Sequence, residues 1–592
     1  MKSTYWEARS ALRSAQGISR RHLLRTGAMG GLGLTAAALI GCGGDDDGAA
    51  ATATRTGEGE GQATGTASPG ASGSEIKRGG IYRQALTGEP PTLDPYRNAS
   101  VSTKTFAGHA YSRLFMLETD PDLDPYDLST VPDVAVSSET EDGQHWVVKL
   151  KQGVKFQDVQ PVGGRELTSE DVLFSWDRLT GADSPNATQV KEIVNVEAID
   201  DYTLNFTTSQ PLPEFMELLA NASLLWILPT EADGGFNPSM TAIGSGPWIL
   251  ESHDTDVKMT WRANPDYHIA GLPYMDGIEE TVVPEYANRK AQYQAGNIFD
   301  AAITADDVIE LMDGDPDTQW ARGTGAGVSW IAFSGEEVDP DAIWRDERFR
   351  QALSMSLDRN VLNEYAGNVT AIKQAGLVPF ELWNNVQPAS FGKRYWLDPQ
   401  SPEHGPSGAF FQHNPEEAKR LWDAVGVDST PIKYQYTERY GATFLGLAEA
   451  QAGMITEAGL PLRLEQQDYN SIYITQTFLG QFTGIVYGLE TLLPPGGYVE
   501  RLFGDDPANH GKVHDPVIDD LAAKQAVELD EAQRTEYLYD IQRRNGEMMF
   551  YVPTQSSATA GWTAYKSFVR NHRRTRGYGG ATENTGVTWL DQ

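Results

Sequence analysis

From Lys77 onward the apolar residues fall into short runs whose period switches between two and about three and a half, the pattern of strands mixed with helices. Gly79–Ala85 reads as an opening strand, and Glu89-Pro90-Pro91-Thr92-Leu93-Asp94-Pro95 as a rigid loop after it. Phe106, Ala110, Leu114 and Leu117 stand near helical spacing and predict a helix over Thr103–Leu117. His145–Leu150 places Trp146, Val148 and Leu150 on one face, a half-buried strand, and Gly153–Phe156 continues it. Thr168-Ser169-Glu170-Asp171 gives a capping-box start to a helix carrying Val172, Leu173, Trp176 and Leu179, with Gly181 past its end. Val194–Ile199 and Tyr202–Phe206 flank Asp200-Asp201 and read as a hairpin. Asp346 caps a helix with Phe349, Ala352, Leu353, Ser356 and Leu357 inward. Asn414-Pro415-Glu416-Glu417 starts another that stops at Gly426, and Thr483–Glu490 reads as a later strand. The chain is therefore α/β, with no repeat period.

The first 76 residues follow other rules. Met29–Ile40 is apolar but short and rich in Gly and Ala, and ends in Leu39-Ile40-Gly41-Cys42, which holds the only cysteine of the 592 residues. Arg20 and Arg21 lie just upstream. This leader, 1–41, resembles a twin-arginine signal ending in a bacterial lipobox, which implies acylation of Cys42 after cleavage. The 34 residues Gly43–Ile76 are Gly, Ala, Ser, Thr and acid, too poor in apolar groups to offset the entropy of ordering. As a linker (42–76 with the cysteine) they would reach about 30–35 Å. No later stretch approaches the ~20 apolar residues that span a bilayer.

Charge narrows the function classes. The net charge is −35, and the leader holds six Lys/Arg against one Glu, so the chain from Cys42 onward is near −40. That surface repels nucleic acid and anionic headgroups. Aromatics at 10% supply a substantial core and some rings for a cleft.

Six collinear blocks resemble family 5 solute-binding proteins of ABC importers, the peptide- and nickel-binding group. They are Gly79–Pro95 (GGIYRQALTGEPPTLDP), Asp142–Leu179, Val194–Phe206, Gly244-Ser245-Gly246-Pro247-Trp248, Asn264–Tyr267 with Gly271–Tyr274, and Arg348–Leu353 through Asp358-Arg359. The resemblance runs from about Lys77 to Pro553. It implies a two-lobed periplasmic-binding-protein-like fold (type II, cluster C) with a hinge and an extra subdomain in the first lobe. The first lobe is expected over 77–328, with the subdomain at about 100–240, the second over 329–550, and 551–592 returning to the first. It implies ligand contacts at Asn98, Ala99 and Ser100 from one lobe and at Tyr487, Gly488, Leu489 and Glu490 from the other; Trp383 is a further ligand-binding candidate as an aromatic that could line the cleft. It also implies an ABC permease as partner, a small-molecule or peptide ligand, a monomer, and a place on the outer face of the cytoplasmic membrane, tethered through Cys42. No cofactor is expected. The sequence departs from the family where a Trp and an Asp commonly follow the later strand: here the strand runs into Thr491-Leu492-Leu493-Pro494-Pro495, with Glu490 as the nearest acid.

Other motifs read as bland. Asp120, Asp122 and Asp124 alternate as in a calcium loop, but Pro125 and Val131 take positions that need Gly and Glu. His510 and His514 have metal-ligand spacing, yet Gly511 and Pro516 argue for a loop, so both read as surface histidines rather than a metal site. Arg570–Arg576 reads as a solvated basic loop, with a patch for the permease as the lesser alternative. Trp330, Phe380, Trp383, Trp396 and Tyr487 are candidates to line a cleft, set against the commoner role of such rings as core. The rival classes are a secreted carbohydrate- or peptide-acting enzyme and a sensor on the same fold, but no catalytic spacing is present.

Overall fold

Strand Ile81–Leu86 anchors the first lobe. It pairs in parallel with Gly277–Val282, which runs antiparallel to Lys258–Ala263, with Trp248–Asp254 at the far edge. The computed structural model describes residues 75–98, 101–118, 129–323, 327–491, 494–506, 509–555, 561–572 and 585–592. Arg20, Arg21, Cys42, the linker as far as Ser74, Ala99, Ser100, Asp120, Asp122, Asp124 and 573–576 of the basic run lie outside them.

A second sheet, in the order Ala135–Glu139, His145–Leu150, Thr203–Thr208 and Ile193–Asp200, is antiparallel throughout. Its period-two pattern has a simple cause: Trp146, Val148 and Leu150 are buried on one face while the alternate side chains meet solvent. Trp146 stacks on Phe215 at 4.4 Å, and helix Ser169–Thr180 lays Trp176 edge-on to Phe206 at 6.0 Å. That helix starts where predicted, with Asp171 accepting from the Thr168 backbone N–H at 3.0 Å. Arg165 grips Asp171 and Glu231 together, tying the helix start to the 3₁₀ turn Thr230–Ala232. Fully buried Trp226, Trp248 and Trp261 fill the first lobe's core. Truncating any of them to Ala costs about 3–5 kcal/mol.

The helix expected over Thr103–Leu117 is shorter, Val101–Ala110. Tyr111 to Phe115 are buried without interruption, which a one-faced surface helix cannot achieve. Ser112 instead bridges to Ile227, and Phe115–Leu117 pairs with Thr130–Pro132.

Two strands, Asp300–Ile303 and Gln319–Arg322, both pair with Trp562–Tyr565. Asp591 near the end of the chain pairs with Lys77 at 2.7 Å. The second lobe is built on a five-stranded sheet in the order Leu462–Gln467, Ile432–Thr437, Ile485–Thr491, Gly327–Phe333, Tyr551–Pro553. Helices cover both faces. Phe349 lies against Phe333 and Phe444 against Tyr487 on one side, while Tyr473, Tyr498, Leu538 and Ile541 pack with Val328, Trp330 and Val486 on the other. Two of these helices start as the sequence predicts: Asp346 accepts from the Arg348 N–H at 2.9 Å, and Asn414 from that of Glu417 at 3.1 Å.

Candidate functional site

Strands 432–437, 462–467 and 485–491 run parallel, and 551–553 points the same way, so all four end on one edge of the sheet. Loops beyond the carboxyl ends of such strands converge without being needed in the core, and ligands bind in the crevice they form. Here the loops bring Tyr440 to 5.8 Å from Tyr469 and 6.2 Å from Tyr473, ring to ring, with Phe444 at 5.0 Å behind them.

Glu490 stands near the end of strand 485–491 with a side chain 9% exposed. Its neighbour Gly488 is the reason for what surrounds it. A Cβ there would lie 2.5 Å from the Trp330 indole, so only glycine lets that ring lie flat on the strand. His510 stacks on Trp330 at 4.4 Å and 28°, and its Nε2 is 2.9 Å from Glu490 Oε1. The Arg501 guanidinium is 4.0 Å from the same oxygen. The loop carrying His510 is firmly fixed: Asn509 donates to the Gly504 and Val513 carbonyls at 3.0 Å each, and the Gly511 N–H donates to Tyr551 Oη at 2.9 Å.

The other predicted residues take distinct places. Tyr487 is fully buried, stacked on Phe444 at 4.3 Å, and its hydroxyl accepts from Gln555 Nε2 at 3.4 Å; burial pushes its pKa up. Its carbonyl accepts from Tyr473 Oη at 2.9 Å. Leu489 is half-buried on the opposite face from Glu490. Trp383 is buried, bridges to Gln555 at the same edge, and donates from Nε1 to Asn360 at 3.0 Å. Arg359 sits 5.8 Å from the Trp383 ring and donates twice to the Pro553 carbonyl, fixing the last strand's end. Burial lowers its pKa to about 9. Asn98 is half-buried in the first lobe. Trp330, Phe380 and Trp396 are core.

The first lobe reaches this edge through the segment around helix Phe215–Ala220. Glu214 Oε1 accepts from the Gly496 N–H at 3.0 Å, a few residues beyond strand 485–491, and also from the Arg534 guanidinium. Glu217 pairs with Arg394 at 3.4 Å, and Arg394 with Glu531 at 2.6 Å. Tyr395 lies between the two arginines, 5.0 and 5.4 Å from them. Burial opposes the Arg534 charge, but Glu214 more than offsets this and the pKa is raised; burial also pushes the Glu217 carboxyl up. Leu529 rests on the turn at Gly143, where an added Cβ would come within 2.9 Å of it.

Sequence reasoning missed His510, Glu214, Arg394 and Arg534. The loop at 509–515 is as expected, and His514 is exposed, but His510 is fully buried rather than a surface side chain. The reason is its ring contacts with Trp330 and Phe478, both remote in sequence. Among the described residues no three His, Cys, Asp or Glu side chains gather as a metal set, and no helix is long and apolar enough to cross a membrane.

The family model described as bacterial extracellular solute-binding proteins, family 5 Middle, matches residues 129–508. The probable D,D-dipeptide-binding periplasmic protein DdpA of Escherichia coli (strain K12) is 25% identical over 392 residues, 64% of this chain and 68% of that protein. The glutathione-binding protein GsiB of Salmonella typhi is 26% identical over 297 residues, 49% of this chain, so the match spans about half of that relative (54%). Among solved structures, the ABC transporter substrate binding protein CtaP of Listeria monocytogenes superposes with a TM-score of 0.71 at 21% identity, covering 87% of this chain and 100% of the other. At that identity it shows the fold, which is the two-lobed binding-protein architecture. With the family model matching well over half of its length, the chain belongs to the bacterial extracellular solute-binding proteins of family 5, which serve ABC importers.

Proposed function

We propose that this protein captures a peptide or similar small solute between its lobes, outside the cytoplasmic membrane, and delivers it in closed form to an ABC permease. The observation that carries this reading is the meeting of Gly496 and Arg534 in the second lobe with Glu214 in the first, beside the loops at the carboxyl edge. A solute lying in that crevice touches both lobes, so it binds the closed state better and shifts the population toward it. Strands Gln319–Arg322 and Gly327–Phe333 follow one another in the chain but lie in different sheets, as do Tyr551–Pro553 and Trp562–Tyr565. The dipeptide- and glutathione-binding relatives favour a peptide-like ligand. Acylation at Cys42 would hold a monomeric receptor near its permease, raising its effective concentration there. No covalent chemistry is required, and no cofactor.

Native mass spectrometry of protein purified from its own host tests the reading. A co-purifying peptide-like mass that also raises the melting temperature on re-addition supports it. A protein that carries no solute and is stabilised by no member of a peptide panel contradicts it.

A further inference from the structure

The carboxylate at the crevice edge is already neutralised from within. His510 Nδ1 lies 2.6 Å from the Phe478 carbonyl, which only accepts, so that nitrogen carries a proton. Nε2 lies 2.9 Å from Glu490 Oε1, and a hydrogen bond there requires a second proton between them. Whether that proton sits on the ring or on the carboxyl, the pair is neutral overall. The imidazole's stacking on Trp330 favours the charged ring, and the fixed loop around Asn509 holds it in place without a ligand.

The neighbouring acids are engaged as well. Glu438 accepts from Gln466 at 2.7 Å, and Asp468 accepts from the Ser471 N–H and hydroxyl at 2.9 and 2.6 Å. Across the crevice, Glu214 is taken by Arg534 and Glu217 by Arg394. Arg439, on the loop after strand 432–437, has no ion-pair partner among the described residues and lies 5.8 Å from the Tyr469 ring. An ammonium arriving at Glu490 would meet a carboxylate already paired with His510 and with Arg501 4.0 Å away, while Glu438 and Asp468, exposed and hydrogen-bonded by neutral groups, keep charges that solvent screens.

We infer that His510 sets ligand specificity: by neutralising Glu490 it makes the Tyr440–Glu490 edge a site for an uncharged end of the solute, such as a blocked peptide amino terminus, and not for a free ammonium. Tyr440 and Tyr469, both half-buried, supply the aromatic surface against which an acyl or amide group packs, with the fully buried Tyr473 behind them. The inference rests on the reading of this edge as the ligand-binding wall.

The test uses a randomised tetrapeptide pool in two forms, free amino terminus and N-acetylated, offered to the full chain and read by native mass spectrometry and calorimetry. The wild type is expected to bind the acetylated form at least as tightly as the free one. Glu490→Gln should leave the ratio of the two affinities within about twofold, because the charge it removes is already cancelled. His510→Phe keeps the ring stack but strips the proton, and should shift preference toward the free amine by about tenfold. A wild type that prefers the free amine more than tenfold, with that preference lost in Glu490→Gln, overturns the proposal while leaving peptide capture standing. Binding of neither form overturns peptide capture itself, and this proposal with it.

Discussion

The carboxylate of Glu214 accepts a hydrogen bond from the guanidinium of Arg534, 320 residues further along the chain and in the other lobe. The side chains are 13% and 5% exposed, so the pair is shielded from water. Such a pair adds little stability of its own against an apolar replacement, but breaking it from one side strands a buried charge. In this arrangement it ties the two lobes together.

Arg534→Leu should therefore disfavour the closed form by about 2–3 kcal/mol. Calorimetry with the co-purified solute should show affinity weakened by roughly 30–100-fold. The double variant with Glu214→Gln should lose less than the two single losses combined, since the second change removes the stranded charge. Strict additivity would show that the pair is not a unit.

Gly488→Ala places a methyl group against the Trp330 ring and the Tyr473 hydroxyl, 2.5 and 2.9 Å from the new carbon. One of them must move, and overpacking of this kind costs about 1–3 kcal/mol. Urea unfolding should show a lower midpoint with an unchanged slope. An unchanged midpoint would mean that Trp330 does not hold His510 in the way described.

His404, 1% exposed, is pushed down to about 4 by burial, with Arg543 adding to it, from an ordinary 6.5. Between those values the unfolded chain binds the proton that the fold refuses. Stability held above pH 6.5 is therefore lost as pH falls toward 4. His404→Gln should be less stable at pH 7 but show a shallower fall in melting temperature over that window. A parallel fall in both proteins would remove His404 from the acid response.

Local elements were readable because their causes are local. The Thr168 and Asn414 caps, the Asp200-Asp201 hairpin and the strand ending at Glu490 each rest on residues a few positions apart. The blocks shared with the family carried the lobes. The partners at the site were not readable, because the sheet order sets 485–491 between 432–437 and 327–333, and only then do Trp330 and His510 meet Glu490. His510 sits in a Gly- and Pro-flanked loop whose local pattern resembles a surface one, and its burial comes from side chains far away in sequence. Glu214 carries no local signal that separates it from the other acids of so acidic a chain.

Closure itself is the central claim, and the distance between the lobes measures it. Glu141 is exposed and Glu528 half-buried, and they flank the Gly143–Leu529 contact, so each replaced by cysteine in a Cys42→Ser background accepts a spin label without entering the core. With the co-purified solute bound, pulsed electron resonance should give one short, narrow distance; after the solute is removed, the distribution should lengthen and broaden. An identical distribution with and without solute would contradict capture by closure.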